Sequence, residues 1–322
     1  MYTRQLNALK TSVTVLTGQR KGLTLLEILT VIAVVGILFS LIIPAVFSAR
    51  EAARNTGCMA NLRQIGIALA SYHTDHGMFT PNSLLTSRYG SSNRFSGLVY
   101  LLPYIEQNSL FDSINMSFCS FDQPDSLLPQ NLTAKSTRVS IYLCPSDGEP
   151  NHKNSYRYNH GCSPKNGPTS DGPFSVGIIP SQSSVTDGLS NTAFVSERLG
   201  GNFDHSTKDS QRGLKYVDWP YPKIDDMDQY IVFCVEQQVP RWNSEEGKYW
   251  FFNGMENGEY NHYGHPNDAR ISCGGSNYGL HPPRSMHGSG VNVLYGDTHV
   301  QYVSNTVNME LWRKNGTHAS ND

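Results

Sequence analysis

Hydrophobic and polar positions divide this chain into zones of different character. From Ile28 to Ala49 no residue is charged, and Leu23 to Phe47 is dominated by Leu, Ile, Val and Ala. Twenty apolar residues at about 1.5 Å each span a hydrocarbon core of roughly 30 Å, so the run predicts a membrane-spanning helix. A cleaved secretory signal has a shorter apolar region, about 7–15 residues, then a small-x-small site. Here Phe47-Ser48-Ala49 puts Phe where a small residue is needed, and the segment is expected to stay as an anchor. After Arg50-Glu51-Ala52-Ala53-Arg54 the pattern changes. Cys58, Leu62, Ile65, Leu69 and Tyr72 recur in steps of 4, 3, 4 and 3, the stripe of an amphipathic helix that faces a partner. Gly77 offers a stop and Pro81 prevents resumption. Leu25 to His76 therefore reads as one helix of about 52 residues, roughly 78 Å long.

Beyond Pro81 the signals shorten. Leu98, Leu101, Leu102, Ile105, Leu110, Phe111 and Ile114 predict a helix over 98–114, with Pro103 near its start. Val139–Leu143 reads as a strand ending at Cys144-Pro145-Ser146-Asp147, and Thr192–Ser196 as another. Residues 200–285 are rich in Gly, Pro, Asn and aromatics without a sustained period, which predicts loops and short strands. Val291–Tyr295 and Val300–Val303 flank Gly296-Asp297-Thr298-His299, a hairpin pattern. No fixed-period repeat is visible.

Composition and charge sharpen this picture. The 322 residues hold 28 Gly and 17 Pro but only 16% charged residues, so loops should be abundant. Net charge is −2 overall, yet Arg4, Lys10, Arg20 and Lys21 make residues 1–22 +4, which leaves −6 on the rest. An acidic head has no electrostatic footprint for nucleic acid. The four basic residues ahead of the apolar run place the N-terminus in the cytoplasm and everything after residue 50 outside. All six cysteines (Cys58, Cys119, Cys144, Cys162, Cys234, Cys273) follow the anchor, so export implies disulfides. Cys58 lies on the helix stripe, and Cys144 ends a strand suited to crossing that helix. Their pairing is the expected one, closing a loop of roughly 86 residues worth about 4–5 kcal/mol in the chain-entropy view. The other four pair among themselves or stay partly free.

Glu27 does not fit a plain anchor, since an ionised carboxylate at the bilayer centre costs about 2.5–3.5 kcal/mol. Its neighbours give it a context. Arg20-Lys21-Gly22-Leu23-Thr24-Leu25-Leu26-Glu27 followed by an unbroken apolar run resembles the type III signal of type IV prepilins and type II secretion pseudopilins. The resemblance implies a cut by a prepilin peptidase between Gly22 and Leu23, methylation of Leu23, and pairing of Glu27 with the N-terminal amine of a neighbouring subunit. It implies a helix bend at Pro44, which by itself removes a helical hydrogen bond. Leu23 stands where Phe or Met is commoner, and the 22-residue leader is longer than many.

The chain further resembles a large bacterial family of prepilin-like proteins whose head is a domain of unknown function. The matching residues include Arg50–Arg54, Cys58, Asn61–Gly66, Leu102–Gln107, Leu143–Asp147, Thr186-Asp187-Gly188 and Glu197. They end on His287, nine residues and then Asp297; the family usually has Gly next, where this chain has Thr298. Together these imply a leader (1–22), a transmembrane part (23–47), an amphipathic continuation (48–77) and an extracytoplasmic head (78–322). The expected fold class is α+β and pilin-like, with the long helix packed on an antiparallel sheet head with loop-rich insertions. Expected partners are the peptidase, the membrane and other pilin-like subunits, in a homo- or hetero-oligomer at the inner membrane.

No catalytic set can be assembled from spacing, so enzymatic activity is not expected. His287, His299 and Asp297 sit near one hairpin, and His262 and His265 form an H-x-x-H pair without a third ligand. No cofactor is expected; Asp-Gly turns at 147, 171 and 187 offer the oxygen ligands Ca2+ favours, without an EF-hand pattern. Three readings follow: a structural subunit of an envelope filament or pseudopilus, an anchored ligand- or polysaccharide-binding module with Trp219, Trp242 and Trp250 as stacking surfaces, and an envelope hydrolase.

Overall fold

A computed structural model describes residues 22, 24–82, 95–117, 131–163, 170–175, 177–206, 208–217, 227–236, 242–275 and 278–319. Leu23, Cys119 and Trp219 lie outside the described residues, as does most of the expected leader. The chain divides into two compact units, Met1–Ala49 and Arg50–Asp322.

Helix α1 runs unbroken from Leu25 to His76 with Pro44 inside it. Its described side chains as far as Arg50 are all exposed, and this stretch is long and apolar enough to cross a membrane. Further on, Cys58, Leu62, Ile65, Ala68 and Leu69 are buried. They pack into the main core with Leu98, Leu101, Leu102, Tyr156, Tyr158 and Leu294. The helix ends where Gly77 takes φ +71° and donates its N–H to the His73 carbonyl at 2.8 Å, a left-handed cap that glycine adopts without steric cost.

The expected helix over 98–114 is broken into pieces: α2 (Gly97–Leu101), a 3-10 turn (Leu102–Ile105) and α3 (Asn108–Asp112). Pro103 supplies no N–H to an α-helical ladder, and Glu106 at φ +62° turns the chain out of the helix. A short α4 (Leu132–Ser136) follows. Val139–Leu143 is not a strand: Ser140–Tyr142 form a 3-10 turn, with the Leu143 N–H bonded to the Ser140 carbonyl and the Tyr142 hydroxyl donating to the Leu98 carbonyl at 2.7 Å. Local turn bonds take the groups that a ladder would need.

The remaining described elements are β1 (Tyr156–Asn159), a 3-10 turn (Gln182–Ser184), β2 (Ala193–Glu197), β3 (Leu214–Tyr216), α5 (Met227–Glu236), β4 (Trp242–Asn243), β5 (Glu259–Tyr260), β6 (Ser272–Gly275), β7 (Tyr278–Leu280), β8 (Gly290–Tyr295), β9 (Val300–Ser304) and α6 (Met309–Lys314). One sheet has the order β5-β1-β2-β8-β9, the other β4-β3-β6-β7. Both are mixed, where an antiparallel sheet was expected: β1 runs parallel to β5 and β3 parallel to β6. The long connections between these partners give the chain room to re-enter in the same direction.

The β8–β9 hairpin is antiparallel from Gly290↔Ser304 to Leu294↔Val300 and lies against α1. A Cβ on Gly66 would sit 2.7 Å from Leu294 Cδ1 and 3.3 Å from Thr298 Cβ, so only glycine allows this approach without the neighbours shifting. Around the second sheet, Val217, Tyr230, Cys234, Tyr263, Cys273 and Leu280 form their own core, and a Cys234–Cys273 disulfide ties α5 to β6. That helix stands where the sequence predicts only loops and short strands. A third core, centred on Trp312 of α6, covers Tyr260, Val291 and Val293.

Candidate functional site

The N-terminal motif has local geometry of its own. The Thr24 hydroxyl accepts from the Glu27 N–H at 3.2 Å, while Glu27 Oε2 accepts from the Thr24 N–H at 2.8 Å. Thr24 precedes the first helical residue and Glu27 is the third, so the pair forms a reciprocal capping box. Gly22 has open space around it, with nothing within 4 Å of an added Cβ. Glu27 and Pro44 both lie in the exposed half of α1.

A second constellation forms where the other half of α1 meets the head. Cys58 is joined to Cys144, with the two Cα atoms 4.9 Å apart. One helical turn or two earlier, Glu51 and Asn55 face the same side. Glu51 Oε1 lies 3.0 Å from His287 Nδ1 and accepts from the Ser146 hydroxyl at 2.8 Å. The other ring nitrogen of His287, Nε2, is 3.1 Å from Glu197 Oε1 and 3.6 Å from Cys144 Sγ. Glu197, at the end of β2, accepts from the Asn292 N–H at 2.8 Å and its side-chain amide at 3.0 Å. Asn292 in turn reaches Asn55 Oδ1 at 2.7 Å. Tyr156 OH donates to the Cys58 carbonyl at 3.2 Å, and Asn61 Nδ2 to the Leu143 carbonyl at 2.9 Å.

Strand registry and turn chemistry produce this convergence. Glu197 and Asn292 are on adjacent strands, since Ser196 pairs with Val293. His287 is carried by the bend before β8, where its N–H is held by Ser285 Oγ at 3.2 Å and its carbonyl by Tyr302 OH at 2.7 Å. Burial disfavours a charged imidazole, but the carboxylates of Glu197 and Glu51, one at each ring nitrogen, outweigh that and raise its pKa above the ordinary histidine value. Flanked by two acceptors, the ring is read as an imidazolium bridging the helix to the head. In chemical terms the site is a joint: one covalent bond and one doubly bonded cation fasten α1 to three other segments.

The remaining sequence candidates are spent elsewhere. Asp297 is bonded to His299, on the exposed β8–β9 turn, while His287 turns toward Glu51 and Glu197. His262 is buried, with Tyr260 OH at one nitrogen and the Trp312 carbonyl at the other. Trp250 is fully buried and Trp242 partly so. Among the Asp-Gly turns, Asp147 faces His152, Arg212 and the Gly200 N–H, and Asp171 accepts from the Cys162 and Ser163 N–H groups. Cys162 is a free thiol.

Sequence reasoning paired Cys58 with Cys144, the bond the structure shows, and named Glu197 and His287 without joining them to that pair; it missed the roles of Glu51, Asn55 and Asn292. Their signal was weak: Glu51 reads as one charge in a polar cluster after the apolar run. Sequence reasoning also passed over the capping box, although Thr24-x-x-Glu27 before apolar residues is its pattern.

A family model described as a protein of unknown function (DUF1559) matches residues 47–310, which takes in the whole joint. Neither the curated proteins nor the solved structures include a match.

Proposed function

We propose, from the premise that the chain belongs to the DUF1559 family of proteins of unknown function, that it is a membrane-anchored, prepilin-like structural subunit. The observation that carries this reading is α1 itself. A single helix joins an exposed apolar stretch, whose one carboxylate is Glu27, to a half that a disulfide and a charged network fasten to the head. A filament subunit needs this combination, because load on the helix must pass into the head without peeling it away.

In this reading a prepilin peptidase cuts between Gly22 and Leu23 on the cytoplasmic side, Leu23 is methylated, and the head stands in the periplasm or at the surface. Subunits then associate through the apolar helices, homo- or hetero-oligomerically, and Glu27 pairs with a neighbour's N-terminal amine in low dielectric. Of the tryptophans read as stacking surfaces for a displayed ligand, Trp250 is buried and Trp242 partly so. The test is electron microscopy of cells with and without this chain, alongside a Gly22→Val strain. Filaments or pseudopilus fibres are expected only in the unaltered strain, because a branched residue obstructs a peptidase site that selects glycine. Identical surfaces in all three strains contradict the reading.

A further inference from the structure

Four side chains at the joint have the chemistry of a metal site that the disulfide conceals. Cys58 Sγ, Cys144 Sγ, His287 Nε2 and Glu197 Oε1 all lie within 4.8 Å of one another, and all four residues are buried. Cys144 Sγ is 3.6 Å from His287 Nε2 and 3.8 Å from Glu197 Oε1, and those last two atoms are 3.1 Å apart. In a tetrahedral zinc site with Zn–S of about 2.3 Å and Zn–N or Zn–O of about 2.0–2.2 Å, sulfur lies about 3.6 Å from nitrogen or oxygen, and nitrogen about 3.4 Å from oxygen. Three edges of the tetrahedron are therefore already near their final lengths. The two sulfurs, bonded to each other here, would have to part, and Cys58 Sγ, within 4.8 Å of the other ligand atoms, would close the remaining edges.

We propose that, with the Cys58–Cys144 bond reduced, Cys58, Cys144, His287 and Glu197 form a tetrahedral site for a divalent cation of the zinc class. A dithiol supplies the two electrons: it attacks the disulfide, leaves two protein thiols, and is itself oxidised to a disulfide. The cation then binds both sulfurs as thiolates, the imidazole at Nε2 and one Glu197 oxygen, and the displaced protons go to solvent. Glu51 holds His287 Nδ1 at 3.0 Å, which fixes the tautomer with Nε2 as the ligand atom, the carboxylate–histidine arrangement common behind zinc ligands. Glu197 is held in turn by the Asn292 N–H at 2.8 Å. An open groove of about 580 Å³ lined by Cys144, Leu143, Pro145 and Asn61 gives reductant and metal a way in. The joint is then closed in both redox states, by metal before oxidation and by the covalent bond after it. Metal would also keep this pair from mispairing with the other cysteines. The inference rests on the joint alone and does not depend on filament assembly.

The test uses the full chain in detergent, reduced anaerobically with a phosphine that binds metal weakly, with Co2+ as the probe. One equivalent is expected to give thiolate-to-cobalt charge-transfer absorption in the near ultraviolet and the intense visible bands of tetrahedral Co2+, both abolished by Zn2+. The oxidised chain should give neither. A Cys58→Ser/Cys144→Ser double variant, which keeps the other four cysteines, should also give neither. Glu51→Ala, which removes the carboxylate behind the histidine and none of the four ligands, should weaken binding about 10- to 100-fold. Absence of the charge-transfer band in the reduced chain, folded or not, overturns the proposal. So does an equal band in the double variant, which would put the metal on other thiols.

Discussion

Glu27 has a local role and, in the proposed assembly, a second one. Its carboxylate closes a capping box with Thr24, and in the proposed assembly it also pairs with a neighbour's amine. Two variants divide the roles. Glu27→Gln keeps a side chain able to complete the box but carries no charge, whereas Glu27→Ala loses both. Neither should impair membrane insertion, because removing a carboxylate from the bilayer edge lowers its cost. If charge pairing drives assembly, crosslinking between subunits should fall in both variants alike. Crosslinking that survives in Glu27→Gln and falls only in Glu27→Ala would reduce Glu27 to a helix cap.

Among the elements, a strained turn offers a direct stability test. Thr298 stands at φ +75° in the β8–β9 turn, a conformation that glycine adopts freely. A β-branched residue in the left-handed region costs about 1–3 kcal/mol. Thr298→Gly is therefore expected to raise stability to chemical denaturation by about 1 kcal/mol, after the loss of side-chain contact with α1 is set against the relief. An unchanged or lower midpoint would show that the contact outweighs the strain. The same turn shows what was readable in advance. The hairpin was legible because its strands alternate around a short polar loop, and α1 because a long periodic run is the strongest signal a sequence carries. Val139–Leu143 misled because a β-branched, aromatic run satisfies strand propensity, while Pro145 and the bond at Cys144 favour a turn. The helix Met227–Glu236 sits among glycines, prolines and aromatics that dilute its period, although Tyr230, Phe233 and Cys234 keep the i, i+3, i+4 spacing. The joint was hidden for another reason. His287 and Glu51 meet across 236 positions, and no local pattern encodes such a contact.

Across the whole molecule, buried histidines set the response to acid. His160, His262 and His281 are fully buried, and burial pushes their pKa values down to about 3, 3 and 4 from an unfolded value near 6.5. His160 also faces His281 and His262. His281 faces Arg198, Arg157 and Glu246, whose carboxylate at 3.7 Å only partly offsets its burial. Below pH 6.5 the unfolded chain takes up protons that the folded chain refuses, so stability falls as pH drops. The loss continues down to about pH 4 for His281 and about pH 3 for the other two, at up to about 1.4 kcal/mol per pH unit for each. Glu246, held down to about 2 by Arg198 despite its burial, adds a loss in the same direction only below its ordinary carboxylate range. Urea midpoints measured from pH 7 to 5 should decline before any carboxylate titrates; a flat profile would contradict this view of the core. In the proposed reading, the other end of the chain is cut and methylated before the subunit can assemble. Intact mass and N-terminal sequencing of the protein purified from its own membranes address it most directly. A mature chain starting at Leu23 and carrying one added methyl group is expected, and a chain that still begins at Met1, or one that begins beyond Ala49, would contradict it.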